Sequence, residues 1–347
     1  MPATLPLTQA GTTLLTLLVG MSGAAIAYAV SLPAWVLLGP ALASSLASLS
    51  GLRLAIAPPV RDSCFIVLGI AIGAGFDPGT GGALMRWPLA FVVLAVALLV
   101  TMLLCRALLC RGFGFDRRSA TLAAAPGHLS FVLGLATDLG IDVARITVVQ
   151  SIRLLFLTIS VPFIAVAMGY EFSDLVLSGD APLTIGPLAG LVIAAIVLGI
   201  VFRRLRFPAP LLLAAMVVSA LGHVTEQTSG AVPEFLLAPA FLVLGTMIGT
   251  RFSGMSRRAF LGSLLAGLGT TLVSVTVTTL AAIPVAVALG MPTAHVLAAF
   301  APGGLETMIA LGATMAASPG FVAACHVARL LILIVLIPLL LGRRAPA

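Results

Sequence analysis

Residues 122–133, LAAAPGHLSFVL, and residues 298–309, AAFAPGGLETMI, each interrupt an apolar run with a proline followed by one or two glycines. In a helix interior, proline costs about 3 kcal/mol and glycine about 1 kcal/mol relative to alanine. Each segment therefore predicts two half-helices separated by a break, at Pro126 in the first segment and at Pro302 in the second. The second segment also places a carboxylate, Glu306, shortly after its break.

The composition predicts an integral membrane protein. Of the 347 residues, 61% are hydrophobic and 8% are charged, whereas a soluble domain has about 25% charged residues. The net charge of +7 comes from 18 arginines. Because these arginines lie in short breaks between apolar runs, they indicate membrane topology rather than nucleic-acid binding. The four cysteines show no spacing typical of a zinc or redox site.

Twelve apolar runs are long enough, or nearly long enough, to be helices in a membrane. The first six are residues 13–31, 33–50, 62–79, 87–110, 118–137 and 143–168, and the second six are residues 183–202, 207–222, 235–252, 259–289, 293–316 and 320–341.

The second six runs copy the first six. Pro126 and Pro302 are 176 residues apart, since 302 − 126 = 176. The same offset relates Gly127 to Gly303, Leu129 to Leu305, Gly114 to Gly290, Arg153 to Arg329 and Pro162 to Pro338. We therefore predict an internal duplication, with one membrane repeat over residues 1–175 and the other over residues 182–347.

The breaks that are rich in arginine predict that the two halves have opposite orientations. They follow the second and fourth runs in the first half, but the first and third runs in the second half. Their arginines are Arg53, Arg61, Arg106, Arg111, Arg117, Arg118, Arg203, Arg204, Arg206, Arg251, Arg257 and Arg258. All of them lie on the cytoplasmic side, as the positive-inside rule requires, if each half crosses the membrane an odd number of times.

The fifth run of each half is then the one that does not cross fully. A broken backbone at membrane depth has to be enclosed by protein or to line a polar cavity, which suits the runs that contain Pro126 and Pro302. The predicted fold is all-α, with two inverted repeats, about ten crossings and two re-entrant or broken helices. Both termini are expected on the cytoplasmic side.

The sixth run of each half carries polar residues at membrane depth. Gln150 and Arg153 are three residues apart and share a helix face, and His326 and Arg329 take the same positions in the second half. A buried arginine in a membrane span indicates by default a functional site. With the residues of the two breaks, the predicted substrate-binding residues are Pro126, Gly127, His128, Ser130, Gln150, Arg153, Pro302, Gly303, Gly304, Glu306, His326 and Arg329.

This combination of inverted repeats, broken helices and charged groups near the midplane is typical of secondary transporters. The N-termini of half-helices and the guanidinium groups of arginines both favour anions. We therefore predict transport of a small anionic solute, such as a carboxylate, by one bundle rocking against the other.

Two residues that break the symmetry of the halves are candidates to carry a coupling proton. Glu306 stands opposite Ser130, and His128 stands opposite Gly304. A half-buried carboxylate and a histidine can both titrate near neutral pH. The alternatives stay open: an ion pair of Glu306 with an arginine, Arg153 or Arg329, and plain helix–helix hydrogen bonds for His128 and His326.

The APG segments, the downstream arginines and the duplication resemble the AbrB-duplication membrane proteins, which are also catalogued as ammonia monooxygenases. The resemblance covers nearly the whole chain and rests on residues 123–163 and 298–340. The second copy has the family's APGG pattern, whereas His128 replaces the second glycine in the first. The resemblance implies a bacterial inner-membrane protein with a loose link to control of gene expression. A membrane sensor that binds a ligand in the same cavity is therefore the alternative function.

We expect neither enzyme activity nor a cofactor. Oxygen chemistry needs a metal with clustered ligands, but the four histidines are dispersed; convergence of His128, His326 and Glu306 in space, with a bound metal, would reopen that alternative. The resemblance does not extend to the soluble DNA-binding AbrB regulators, so no direct nucleic-acid contact is expected. The expected partners are the small anion and the lipid bilayer, and a homodimer is left open.

Overall fold

The computed structural model of the protein describes residues 8–76, 87–127, 129–169, 181–205, 207, 209–314 and 318–342. His128, Arg206 and the side chain of Ser130 lie outside the described part. The described residues form α1 (Gln9–Ala29), α2 (Trp35–Leu49), α3 (Pro58–Gly73), α4 (Pro88–Phe113), α5 (Arg117–Ala124), α6 (Leu129–Asp138), α7 (Val143–Ala167), α8 (Ile185–Arg204), α9 (Pro210–Val224), α10 (Glu234–Thr250), α11 (Arg257–Leu289), α12 (Thr293–Phe300), α13 (Leu305–Thr314) and α14 (Pro319–Leu341).

The protein is an all-α, multi-pass membrane protein. Within the described part, six helices are long and apolar enough to cross a membrane: α1, α4, α7, α8, α11 and residues Gly320–Leu341 of α14. Three shorter helices, α2, α9 and α10, are also apolar. Large apolar side chains are exposed along these helices, for example Ile185 and Val287, which is the arrangement expected where the surrounding solvent is hydrocarbon.

Each of the first seven described helices has a counterpart seven described helices later. The half-helices agree to the residue, because α5 and α12 are 176 residues apart (293 − 117 = 176), and so are α6 and α13 (305 − 129 = 176). Local conformation agrees as well. α2 and α9 both follow an alanine in the left-handed region, Ala34 (φ 47°) and Ala209 (φ 42°). α4 and α11 both end at a left-handed glycine, Gly114 and Gly290.

The two predicted breaks are confirmed. α5 ends at Ala124 and α6 begins at Leu129, and α12 ends at Phe300 and α13 begins at Leu305. The cause is local, because proline lacks the N–H that would continue the helix. In the first break Gly127 turns the chain at φ 93°, a region open to glycine and rarely to other residues.

The halves pack through helices α2 and α3 against α10 and α9. α3 lies on α9, and α2 lies on α10. A Cβ atom on Gly73 would lie 2.5 Å from the backbone oxygen of Met216, and one on Gly245 would overlap the backbone oxygen of Leu37. These glycines therefore allow the helix backbones to approach closely, as small residues do in membrane bundles. The main apolar core runs across this contact and includes residues of both halves.

Candidate functional site

Helix α7 holds a buried arginine against the first break. Arg153 is ten residues after the start of α7 at Val143 (153 − 143 = 10), or about 15 Å along the axis. That is half of a hydrocarbon core of about 30 Å. Its Nη2 donates to the backbone oxygen of Ala125 at 2.9 Å. One turn earlier, Gln150 Nε2 donates to the backbone oxygen of Leu122, also at 2.9 Å.

Helix α14 repeats this arrangement at the second break. Arg329 is ten residues after the start of α14 at Pro319 (329 − 319 = 10). Its Nη1 donates to the backbone oxygen of Ala301, and its Nη2 donates to that of Gly303 at 3.0 Å. Arg153 and Arg329 thus each bind a carbonyl 28 residues earlier in the chain. Ala125 and Ala301 each come directly after the last residue of a half-helix, where the negative end of the helix dipole favours a cation.

The two arginines are buried and retain unused donors. Each has 1% of its surface exposed. Within the described part of the chain, Nε and Nη1 of Arg153 and Nε of Arg329 have no hydrogen-bond partner. The charge of Arg153 also acts unfavourably on that of Arg329. Two buried cations whose N–H groups are only partly satisfied by the described residues form a site that an anion would stabilise.

The first break lies against the arginine of the second half. A Cβ atom on Gly127 would lie 3.3 Å from Nε of Arg329 and 3.5 Å from its Nη2. The predicted residues Gly127 and Arg329, which are 202 positions apart (329 − 127 = 202), therefore meet in space. This contact brings both halves into one site.

The second histidine of the prediction, His326, is fully buried on α14. Its ring faces the backbone of Val322 in the same helix and of Ala299 in α12, although within the described residues neither ring nitrogen has a partner at strict hydrogen-bond geometry. A helix–helix hydrogen bond therefore stays an alternative for His326. Its counterpart Gln150, in contrast, makes such a bond to Leu122.

Glu306 lies in the first turn of α13 and is partly exposed. It forms no ion pair with Arg153 or Arg329, since the ion pairs within the described part join Asp62 to Arg61 and to Arg203. The alternative of a structural ion pair is thus not found. Its Oε2 lies near Gly304, and its charge acts on the Cys64 thiol of α3.

The remaining predicted residues are distributed as follows. Pro126, Pro302 and Gly303 are buried within the breaks, and Gly304 is partly buried beside Leu154 of α7. His128 and the side chain of Ser130 lie outside the described residues. The sequence reasoning missed the carbonyl acceptors of Leu122, Ala125 and Ala301. No side-chain pattern in the sequence marks these acceptors, because they belong to the backbone.

Metal ligands do not cluster in the described part of the chain, where no three His, Cys, Asp or Glu side chains lie together in a way that could hold an ion. His128 is outside this part, so the convergence of His128, His326 and Glu306 has no test in the structure. That the protein is not an enzyme stays a prediction.

Comparison with known proteins assigns the family. The family model described as "Transition state regulatory protein AbrB" matches residues 35–344. The chain belongs to the AbrB family. The match includes both breaks and both buried arginines of this AbrB-family chain, and the resemblance seen in the sequence is confirmed.

Two curated relatives share much of its length. A protein of Bacillus subtilis (strain 168) named "Uncharacterized protein YhjN" is 25% identical over 295 residues, which are 79% of this AbrB-family chain and 75% of the relative. A protein of Escherichia coli (strain K12) named "Putative regulator AbrB" is 26% identical over 231 residues, which are 65% of each chain.

Proposed function

We propose that this AbrB-family protein is a secondary transporter of a small anionic solute in the bacterial inner membrane. The single observation that supports this function best is the pair of buried arginines, each bound to a broken helix and each with N–H groups left over. Buried arginines need partners. The carbonyls of the breaks provide only part of that compensation, and an anion between Arg153 and Arg329 would provide the rest.

The broken helices add to the preference for an anion. α6 and α13 start directly after the breaks. The first N–H groups of a helix have no intrahelical partner, and the positive end of its dipole favours negative charge. The N-termini of these half-helices and the two guanidinium groups therefore act in the same direction. A monocarboxylate or a similarly small anion fits this arrangement.

We also propose that residues 1–175 and 182–347 are two inverted repeats, with about ten crossings in all. Contacts at one end of the bundle support the inversion. Nε of Arg257 donates to the backbone oxygen of Leu49 at 3.0 Å, and Nη2 of Arg203 lies 3.5 Å from Oδ2 of Asp62. The ends of α2 and α8 and the starts of α3 and α11 therefore share this end, although they come from different halves.

The loop after α4 belongs to the same end. Nη2 of Arg145, at the start of α7, donates to the backbone oxygen of Phe113 at 2.6 Å. Further along α7, Val148 and Ile152 pack against Phe252, just after α10. These contacts support an arrangement with the arginine-rich breaks of both halves on one face, which under the positive-inside rule would be the cytoplasmic face.

Cysteine labelling tests this orientation. Arg117→Cys and Arg258→Cys, both at exposed positions, should react with a membrane-impermeant maleimide only from the cytoplasmic side. Glu226→Cys, in the loop after α9, should react only from the other side. A Cys110→Ser background removes the partly exposed native thiol. Labelling of Arg117→Cys and Arg258→Cys from opposite sides would contradict the inverted arrangement.

Glu306 is the proposed carrier of a coupling proton. Glu306→Gln keeps the shape of the side chain but cannot release a proton, so we expect uptake by this variant to become independent of pH. Wild-type uptake should depend on pH. Glu234→Gln, an exposed acid in the first turn of α10, is the matched control. If uptake by Glu306→Gln follows the wild-type pH profile, Glu306 does not carry the proton.

A membrane sensor is the second candidate function, favoured by the regulator name of the Escherichia coli relative. A transporter and a sensor both bind the anion, but only the transporter moves it. A screen of small carboxylates by thermal shift, followed by flux measurements in proteoliposomes, separates the two. Stabilisation grows as RT ln(1 + [L]/Kd), so weak ligands are detected at high concentration. Binding without flux would support the sensor.

A further inference from the structure

One of the two broken helices has an open side. A groove of about 460 Å³ lies between α7, α11 and α12, a volume typical of small-molecule sites. Its walls are almost entirely apolar and include Val161 and Val275; Ser160, Thr278 and Thr279 contribute the few polar side chains. It opens on a surface where Phe156 and Phe163 are exposed, and that surface faces the bilayer in a membrane-spanning protein.

The two halves differ at this position. The half-helix α5 of the first half packs against α14 of the second half, and Ile337 is completely buried there in a cluster with Leu122. The equivalent pair, α12 of the second half and α7 of the first half, touches through Ala298 and Ala165. Val161, the counterpart of Ile337 (337 − 161 = 176), lines the groove instead. The groove is therefore the space that a helix contact fills at the equivalent position beside α5.

The inner end of the groove reaches the second break. Ala301 and Pro302 form this end, and the backbone oxygen of Ala301 accepts a hydrogen bond from Arg329. No acidic side chain lines the groove within the described residues. An apolar groove that opens to lipid and ends beside a buried cation is complementary to an amphiphilic anion.

We propose that the substrate is a single-chain alkyl carboxylate, whose chain lies in the groove between α7, α11 and α12 and whose head group binds at Arg329. This inference rests on the proposed anion site and names its substrate class. Such a ligand would enter sideways from the bilayer, with its chain in an apolar environment throughout. A phospholipid chain without a role in the site is the competing occupant, and the test distinguishes the two.

The test compares butanoate with octanoate on the full chain in nanodiscs, with affinity measured from ligand-dependent thermal shifts. Burial of one methylene contributes about fourfold in affinity, so octanoate should bind on the order of a hundredfold more tightly than butanoate. Ser160→Phe places a ring inside the groove and should remove most of this ratio. Leu280→Phe, which adds the same ring on the lipid-exposed face of α11, should retain the ratio.

Each outcome decides a different point. A large ratio that Ser160→Phe abolishes and Leu280→Phe preserves supports the proposal. An equal ratio in all three proteins would mean that octanoate gains only by entering the bilayer, and it would overturn the groove as its site. If butanoate and octanoate bind equally well and Arg329→Lys binds neither, the alkyl chain does not lie in the groove, but the anion site at Arg329 is supported. If neither carboxylate binds, the inference and the proposed function both fail.

Discussion

Replacing Arg329 with lysine is expected to reduce anion uptake by about ten- to a hundredfold, because a hydrogen bond to a charged group contributes about 1.5–3 kcal/mol. Arg329 donates to two carbonyls, those of Ala301 and Gly303, and its Nε has no partner within the described part of the chain. A lysine retains the charge, but as a single compact ammonium it cannot form the fork that reaches both carbonyls and an anion. Uptake into proteoliposomes measures the loss.

The matched comparisons are Arg153→Lys and Arg145→Lys. Arg153 donates to one carbonyl, that of Ala125, and Arg329 to two. Arg153→Lys should therefore destabilise the fold about half as much as Arg329→Lys, but it should reduce uptake as strongly. Arg145 is exposed at the start of α7, and Arg145→Lys should keep most of the uptake. If Arg329→Lys folds correctly and takes up the anion as fast as the wild type, Arg329 is not a substrate ligand.

The second large effect is expected at the first break. Gly127→Ala should destabilise the protein by about 1–2 kcal/mol from the left-handed conformation alone, since Gly127 has φ 93°. The added methyl group would also press on Nε of Arg329, 3.3 Å away. We therefore expect a lower denaturation temperature together with reduced anion affinity, both measured by thermal unfolding in the presence and absence of ligand.

Gly134→Ala is the control of opposite sign. Gly134 lies within helix α6, is exposed, and has open space around the position of a Cβ atom. Alanine in a helix interior is about 1 kcal/mol more favourable than glycine, so this variant should be slightly more stable and should take up anion normally. If Gly127→Ala is as stable as Gly134→Ala and binds the anion equally well, the left-handed conformation of Gly127 does not support the site.

The sequence predicted the helices and the breaks well because their causes are local. The break at Pro302 follows from the missing N–H of proline, and the ends of α4 and α11 follow from glycines that take the left-handed conformation. The apolar runs agree with the observed helices within a few residues. The run at 118–137 is in fact α5 plus α6, as the break at Pro126 predicts.

The sequence could not predict partners that depend on how helices pack. It did not indicate that Arg153 and Arg329 bind backbone carbonyls, because no side-chain pattern marks an acceptor in the backbone. It left open an ion pair between Glu306 and an arginine, and the packing of α13 places Glu306 where it forms no such pair with Arg153 or Arg329. The groove beside α12 could not be predicted either. The sequences of α7 and α14 are similarly apolar, and the difference lies in how closely α7 approaches α12 and α14 approaches α5.

The interval of 28 residues between Ala125 and Arg153 has a consequence for biogenesis. The ribosome synthesises the first break before it reaches the arginine that donates a hydrogen bond to the exposed carbonyl. The same interval separates Ala301 from Arg329. An unserved carbonyl in hydrocarbon costs several kcal/mol. We therefore expect the nascent half-helices α5 and α6 to remain in a hydrated environment, such as the translocon or the membrane interface, until α7 has been synthesised. Insertion of each half would then end with its last helix, because that helix carries the arginine into the bilayer together with the carbonyl to which it donates a hydrogen bond.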